Sequence, residues 1–222
     1  MNQETQTLQR TEESILQTNK LIKNTYILLS MTLTFSAVMA LISVQSHAAP
    51  IHWLLQIGGM IGLLVLVNVL KNSIWGIAAV FAFTGFLGWT LGPMLNFALQ
   101  MSNGGDLIMF AMGTTGIIFF ALSGYALTTR KDFSFMSGFL MVGMILVIVA
   151  MIANIFLEIP ALHLAISSVM VLLMSGYILY DTSQMVHDDG TGNYILMTVN
   201  MYLNIYLLFV HLLNLFMAFG DD

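Results

Sequence analysis

The sequence predicts an all-α fold of the polytopic membrane class, with seven transmembrane helices. Three observations carry this. Of the 222 residues, 58 % are hydrophobic and only 8 % charged, where a soluble domain carries about a quarter charged residues. Seven apolar runs are each long enough to cross a bilayer. All six lysines and arginines fall on one side of the membrane those runs imply.

A helix rising 1.5 Å per residue needs about 20 apolar residues to cross a hydrocarbon core of ~30 Å. The runs are Tyr26–Val44, Ile51–Leu70, Ile74–Phe97, Leu107–Thr129, Phe133–Leu157, Ala161–Tyr180 and Tyr194–Phe219, and none contains Lys, Arg, Asp or Glu. They do not alternate polar with apolar residues, so barrel strands are disfavoured. Val44 to Pro50 loosely resembles a signal cleavage site. The run before it is too long for a signal peptide and follows a long polar stretch, so span 1 is read as uncleaved. Pro50 and Pro160 are expected in the first turns of spans 2 and 6, where a missing N–H costs nothing. Pro93, inside span 3, should kink or break that helix near its outer end. Gly58-x-x-x-Gly62 and Gly88-x-x-x-Gly92 are read as ordinary packing glycines rather than a dimerisation face. Short loops predict that sequential helices pair as antiparallel hairpins.

Charge gives the orientation. Arg10, Lys20 and Lys23 precede span 1, Lys71 lies between spans 2 and 3, and Arg130 and Lys131 lie between spans 4 and 5. The opposite loops carry no basic residue, a strong positive-inside signal. The N-terminus is therefore expected in the cytoplasm, and Asp221 and Asp222 outside. The chain divides into a polar cytoplasmic tail, residues 1–23, and a transmembrane domain, residues 24–220. In the tail Leu8, Ile15 and Ile22 recur at heptad spacing beside Leu16. A short helix on the inner surface and a disordered tail both remain open.

Several functions are excluded. Six basic residues cannot build a phosphate-tracking surface, so nucleic acid is not a partner. With no cysteine, disulfides, thiolate metal sites and cysteine nucleophiles are absent. The 18 methionines form no clustered copper-type run and read as adaptable packing. Span 7 has no lysine for a retinal Schiff base, and no hydrolase or phosphate-loop motif occurs. Asp188-Asp189-Gly190-Thr191-Gly192-Asn193 lacks the ligand spacing of a calcium-binding hand and reads as a turn and helix cap. His163 and His211 lack a third metal ligand. No catalytic residues are assigned, and an intramembrane hydrolase built on Asp181 and His187 would lack a nucleophile.

The residues able to carry function are few. Asp181 closes the apolar run of span 6, and a carboxylate at the hydrocarbon edge has a partner or a job, unless it merely marks the water interface. Asn204 lies about 15 Å into span 7, on a stripe with Asn200, His211 and Asn214. Such a stripe suits a central helix, as interhelical polar glue or as a cavity lining. Lys71, at the inner end of span 2, is a candidate salt-bridge partner for Asp181. Glu158 reads as interfacial, and Asp132 as the N-cap of span 5.

Four stretches carry a resemblance: Asn24-Thr-Tyr-Ile-Leu-Leu-Ser30; Phe81-Ala-Phe-Thr-Gly-Phe-Leu-Gly88 with Leu91-Gly-Pro93; Leu127-Thr-Thr-Arg-Lys-Asp-Phe-Ser-Phe-Met136; and Ile152-Ala-Asn-Ile-Phe156. With Tyr180-Asp181, they make the chain similar to the Bax inhibitor family of seven-helix membrane proteins, nearest to its YccA-type branch from the bacterial inner membrane. The resemblance implies six helices in hairpin pairs around a central seventh. It implies a non-enzymatic protein that binds and modulates the membrane-anchored FtsH protease. Other family members imply an alternative, a pH-sensitive calcium leak whose inner gate is latched by two aspartates. Calcium is the sole cofactor considered, and only under that alternative. The latch positions map onto Asp181 and onto Asn204 in Met201-Tyr-Leu-Asn204, so the second acid is an amide here. An amide cannot repel Asp181 as a carboxylate would; it can donate a hydrogen bond to it. This departure puts proton-coupled gating in doubt.

Overall fold

In the computed structural model the described residues are 2–220, with side chains from residue 18 onward. Asp221 and Asp222, and the side chains of Leu8, Arg10, Ile15 and Leu16, lie outside that description. Seven helices follow in order: α1 (Asn2–Gln45), α2 (Trp53–Leu70), α3 (Trp75–Leu99), α4 (Gly104–Thr129), α5 (Met136–Leu157), α6 (Pro160–Val186) and α7 (Tyr194–Phe219). Each contains a stretch long and apolar enough to cross a membrane, and no strand occurs among the described residues. The expected fold class is the observed one.

The tail and span 1 form one helix of 44 residues, about 66 Å long and roughly twice the hydrocarbon thickness. Continuity replaces both expectations of a separate surface helix or a disordered tail. Pro160 opens α6 as expected. Pro50 instead precedes α2, whose cap is His52, because the chain spends residues 48–52 in the turn.

The helices are not paired in simple sequence. The pairs α2–α3, α5–α6 and α6–α7 pack as neighbours, but α1 skips α2 and packs on α3, while α4 skips α5 and packs on α6. The result is two three-helix groups, each V-shaped, with α3 and α6 at the vertices. Helix α7 touches α1, α2, α3, α4 and α6 and is the central element. Its buried face includes Thr198, Tyr202, Asn204, Leu208, His211 and Leu212. Helices α2 and α5 are peripheral: Val67 alone is buried on α2, and only Leu140 and Val147 on α5. Apolar side chains on the outside suit lipid, which leaves van der Waals fit and hydrogen bonds to hold helix to helix.

Small residues make the α1–α3 contact possible. A Cβ built on Gly88 would collide with the Ser36 carbonyl oxygen, and one on Gly92 with the Ser43 hydroxyl. Polar bonds then fix the register. Ser36 and Tyr202 hydroxyls lie 2.6 Å apart, Tyr202 also donates to the Thr84 carbonyl at 3.2 Å, and Tyr206 meets Thr90 at 3.2 Å. These bonds join α1, α3 and α7 around buried Phe83, whose ring meets Tyr202 edge-on.

Of the expected kink or break at Pro93, the break does not occur: α3 runs on through it. Proline at this position withholds the N–H that the Trp89 carbonyl would accept. The Ser43 hydroxyl of α1 donates to that carbonyl instead, at 2.8 Å, which satisfies a group that lipid cannot. Ser43→Ala should therefore lower stability in mild detergent by about 1–2 kcal/mol, read by thermal unfolding, whereas Ser43→Thr should retain most of it.

Candidate functional site

The site grows from the pairing of α6 with α7. Helix α6 continues past Tyr180 to Val186, so Asp181 sits more than one turn inside the helix rather than at its end. It is only 8 % exposed, and Asn204 opposite it 7 %. The Asn204 amide Nδ2 donates to Asp181 Oδ2 at 2.7 Å. The carboxylate therefore has a partner within the bundle. A charged carboxylate can only accept hydrogen bonds, which fixes the amide with its NH2 toward the acid. The sealed side-chain atoms without a partner, among the described residues, are Thr25 Oγ1 and Asn103 Oδ1. Asp181 Oδ1, which has no hydrogen-bond partner among the described residues, is therefore not fully enclosed.

The two residues after Asp181 were missed by sequence reasoning. Thr182 Oγ1 donates to the Ile178 carbonyl at 2.8 Å and lies 3.4 Å from the Tyr26 hydroxyl of α1 and 3.3 Å from Ser123 Oγ of α4. Ser183 Oγ donates to the Lys131 carbonyl at 3.1 Å and accepts from the Phe133 N–H at 3.0 Å. All three residues of Asp181-Thr182-Ser183 are buried. Because successive helix positions face 100° apart, one turn of α6 reaches α7, then α1 and α4, then the α4–α5 loop. The only sequence signal was two hydroxyls directly following the acid.

Loops at this end are tied to the same hub. Asn193 caps α7, accepting from Ile195 and Leu196 N–H, and its Nδ2 donates to the Lys71 carbonyl at 3.1 Å. Thr18 donates to the Asp188 carbonyl at 2.8 Å. Gly190 takes a positive φ of 94°, as the turn reading of this segment requires. Asp189, bonded to the Thr191 hydroxyl, and Asp132, bonded to the Ser134 N–H, are both held below the ordinary carboxylate range by those bonds. Asp132 caps the turn before α5 rather than α5 itself, which begins at Met136.

Other expected residues fall elsewhere. Lys71 is half-buried at the α2–α3 turn; no ion pair joins it to Asp181 among the described residues, and the acid bonds to Asn204 instead. Asn200 is exposed and drops out of the inward stripe of α7. His211 is buried but bonded to Ser167 at 3.2 Å, while His163 is exposed. No cluster of three metal-ligating side chains occurs among the described residues.

Seven spans around a central α7 match the central helix the resemblance implied, although the six outer helices do not all pair as hairpins, and Asp181 meets Asn204 between α6 and α7. The family model described as Inhibitor of apoptosis-promoting Bax1 matches residues 18–221. The chain belongs to the Bax inhibitor family. Similar members of the Bax inhibitor family include Modulator of FtsH protease YccA of Escherichia coli strain K12, 48 % identical over 91 % of each chain. An uncharacterized membrane protein of Vibrio cholerae is 49 % identical over 91 % of each. A further relative from Campylobacter jejuni is 34 % identical over 90 % of this chain and 89 % of its own. The name inner membrane protein YccA is borne by the relative from Escherichia coli O6:H1, 48 % identical over 91 % of each chain. As a Bax inhibitor family protein, the chain is a seven-helix membrane protein in which an acid on α6, Asp181, meets an amide on α7, Asn204.

Proposed function

We propose that this protein is a non-enzymatic, multi-pass protein of the bacterial inner membrane that binds and modulates an FtsH-type membrane-anchored protease. The observation that carries the reading is the likeness, 48 % over 91 % of each chain, to a relative named for that action. The charge pattern supports a cytoplasmic N-terminus and a C-terminus on the opposite side. Helix α1 then extends well beyond the bilayer on the cytoplasmic side, a polar handle for the protease, while exposed span surfaces contact the protease's own membrane helices.

Two measurements test this. The protease should co-purify with tagged full-length protein in mild detergent, and overproduction should slow turnover of a membrane substrate of the protease. Removal of residues 2–17 should reduce co-purification at least tenfold while leaving the bundle folded. Unchanged substrate turnover on overproduction defeats the reading.

The Asp181–Asn204 contact favours a second reading, a cation leak with Asp181 at the inner mouth and calcium as the candidate ion. One acid with an amide carries less charge than two acids and holds no shared proton. Flux into liposomes containing the purified protein separates the readings. Flux that is unaffected by Asp181→Ala removes the gate assignment, and no flux removes the channel.

A further inference from the structure

Helices α1 and α2 both lean on α3 without touching one another, so a furrow opens between them toward the lipid. Its cavity is about 490 Å³, lined by Phe35 and Met39 of α1, Leu63 of α2, and Gly85, Phe86 and Trp89 of α3. It continues along α1 into a recess of about 520 Å³ beside Met31, Thr34 and Val38, the two sharing Phe35 and Phe81. Volumes of this size suit a whole ligand moiety, since ligand clefts run from about 300 to 1,000 Å³.

The walls select an apolar occupant. The hydroxyls near the furrow are turned back on their own helix: Ser30 donates to the Tyr26 carbonyl and Thr34 to the Ser30 carbonyl, each at 2.8 Å. Gly85 keeps the floor low, because a Cβ there would press on the Phe35 ring at 2.6 Å.

One charge marks the mouth. Lys23 is exposed and, among the described residues, forms no ion pair. It lies seven and eleven residues before Ser30 and Thr34, and so on the same face of α1. Along the axis it is about 10 Å from Ser30, at the level where headgroups meet the apolar run.

We propose that this furrow binds an acyl chain of an anionic phospholipid, whose phosphate pairs with Lys23. The chain runs past Met31 and Phe35 toward Met39 and Trp89, a depth of about 24 Å from Lys23. This site is separate from Asp181 and Asn204 and does not depend on the protease reading.

Trp89 in the furrow wall supplies the test. In full-length protein carrying Trp53→Phe and Trp75→Phe, both at exposed positions, Trp89 is the sole fluorophore of its type. The protein is reconstituted in phosphatidylcholine vesicles containing increasing fractions of either phosphatidylglycerol or phosphatidylcholine brominated on the acyl chains. Half-maximal quenching should come at a phosphatidylglycerol fraction about fivefold lower than for phosphatidylcholine, the share of one lysine near an anionic headgroup. Lys23→Gln should bring the two curves together. Ala82→Phe, which fills the furrow from an exposed position, should lower maximal quenching by both lipids. Circular dichroism establishes that each variant is folded, and Lys23→Gln decides alone should Ala82→Phe fail. Identical curves for the two lipids in the parent protein would reduce the furrow to ordinary lipid contact. Trp89 quenched by neither lipid would mean that protein, a partner helix or a second copy, fills it. Either result overturns the proposal.

Discussion

Replacing Asn204 by alanine should cost the folded protein about 2–3 kcal/mol, the range for losing a hydrogen bond to a charged group. Ordinary interhelical hydrogen bonds in membranes average only ~0.6 kcal/mol, so the choice between these magnitudes needs a reason. Here the acceptor is a carboxylate, it is buried, and the Asn204 amide bonds it at 2.7 Å. Removing the donor leaves Asp181 Oδ2 unpaired inside the bundle, with water able to reach the acid only at its partly open Oδ1. Thermal unfolding in mild detergent measures the loss, and Asp181→Asn should cost less than Asn204→Ala because two amides can still bond. Asn204→Asp gives the informative contrast. Two carboxyls at hydrogen-bond distance cannot both ionise cheaply, so the folded pair holds a proton that the unfolded chain releases. By linkage, stability then falls as pH rises. The variant should lose stability more steeply with rising pH than the parent. Equal slopes would mean that the two side chains do not share the contact.

The spans were legible because length and hydropathy are local properties, and each apolar run corresponds to one helix, although the second, third and fifth runs begin one to three residues before theirs. Asp181 and Asn204 stood out because a polar group in such a run is rare and costly. Packing order was not legible. Nothing local to α1 says that it skips α2 for α3; that follows from Gly88 and Gly92 meeting Ser36 and Ser43, a match visible only once the helices are side by side. The same applies to Pro93. Its rule predicts an unsatisfied carbonyl, and the helix survives because a serine 46 positions away supplies the donor. Thr182 and Ser183 were passed over because hydroxyls commonly bond their own helix, as Ser30 and Thr34 do. Only the neighbours at Tyr26, Ser123 and Phe133 turn them into a hub.

The two Gly-x-x-x-Gly motifs, identical in spacing, should respond oppositely to the same change. At Gly88 an added methyl meets the backbone carbonyl of Ser36, and a helix backbone cannot swing aside as a side chain can. Gly88→Ala should therefore push α1 from α3 and cost about 3 kcal/mol, the upper part of the overpacking range. It also threatens the Ser36–Tyr202 bond at 2.6 Å, which depends on that approach. At Gly58 and Gly62 a Cβ meets nothing within 4 Å, so these are not packing glycines within the chain. Alanine there should change stability by less than about 0.5 kcal/mol. It should even help slightly, since glycine is the poorer helix former by about 1 kcal/mol per residue. Gly59 between them is intermediate: its Cβ would touch Phe86 Cζ at 2.7 Å, the far end of a ring that can turn. The expected order of melting temperatures in detergent is Gly58→Ala at or above the parent, Gly59→Ala slightly below, and Gly88→Ala lowest. A Gly88→Ala protein as stable as the parent would mean that α1 and α3 are farther apart than this fold requires, and the three-helix arrangement around α7 would lose its tightest contact.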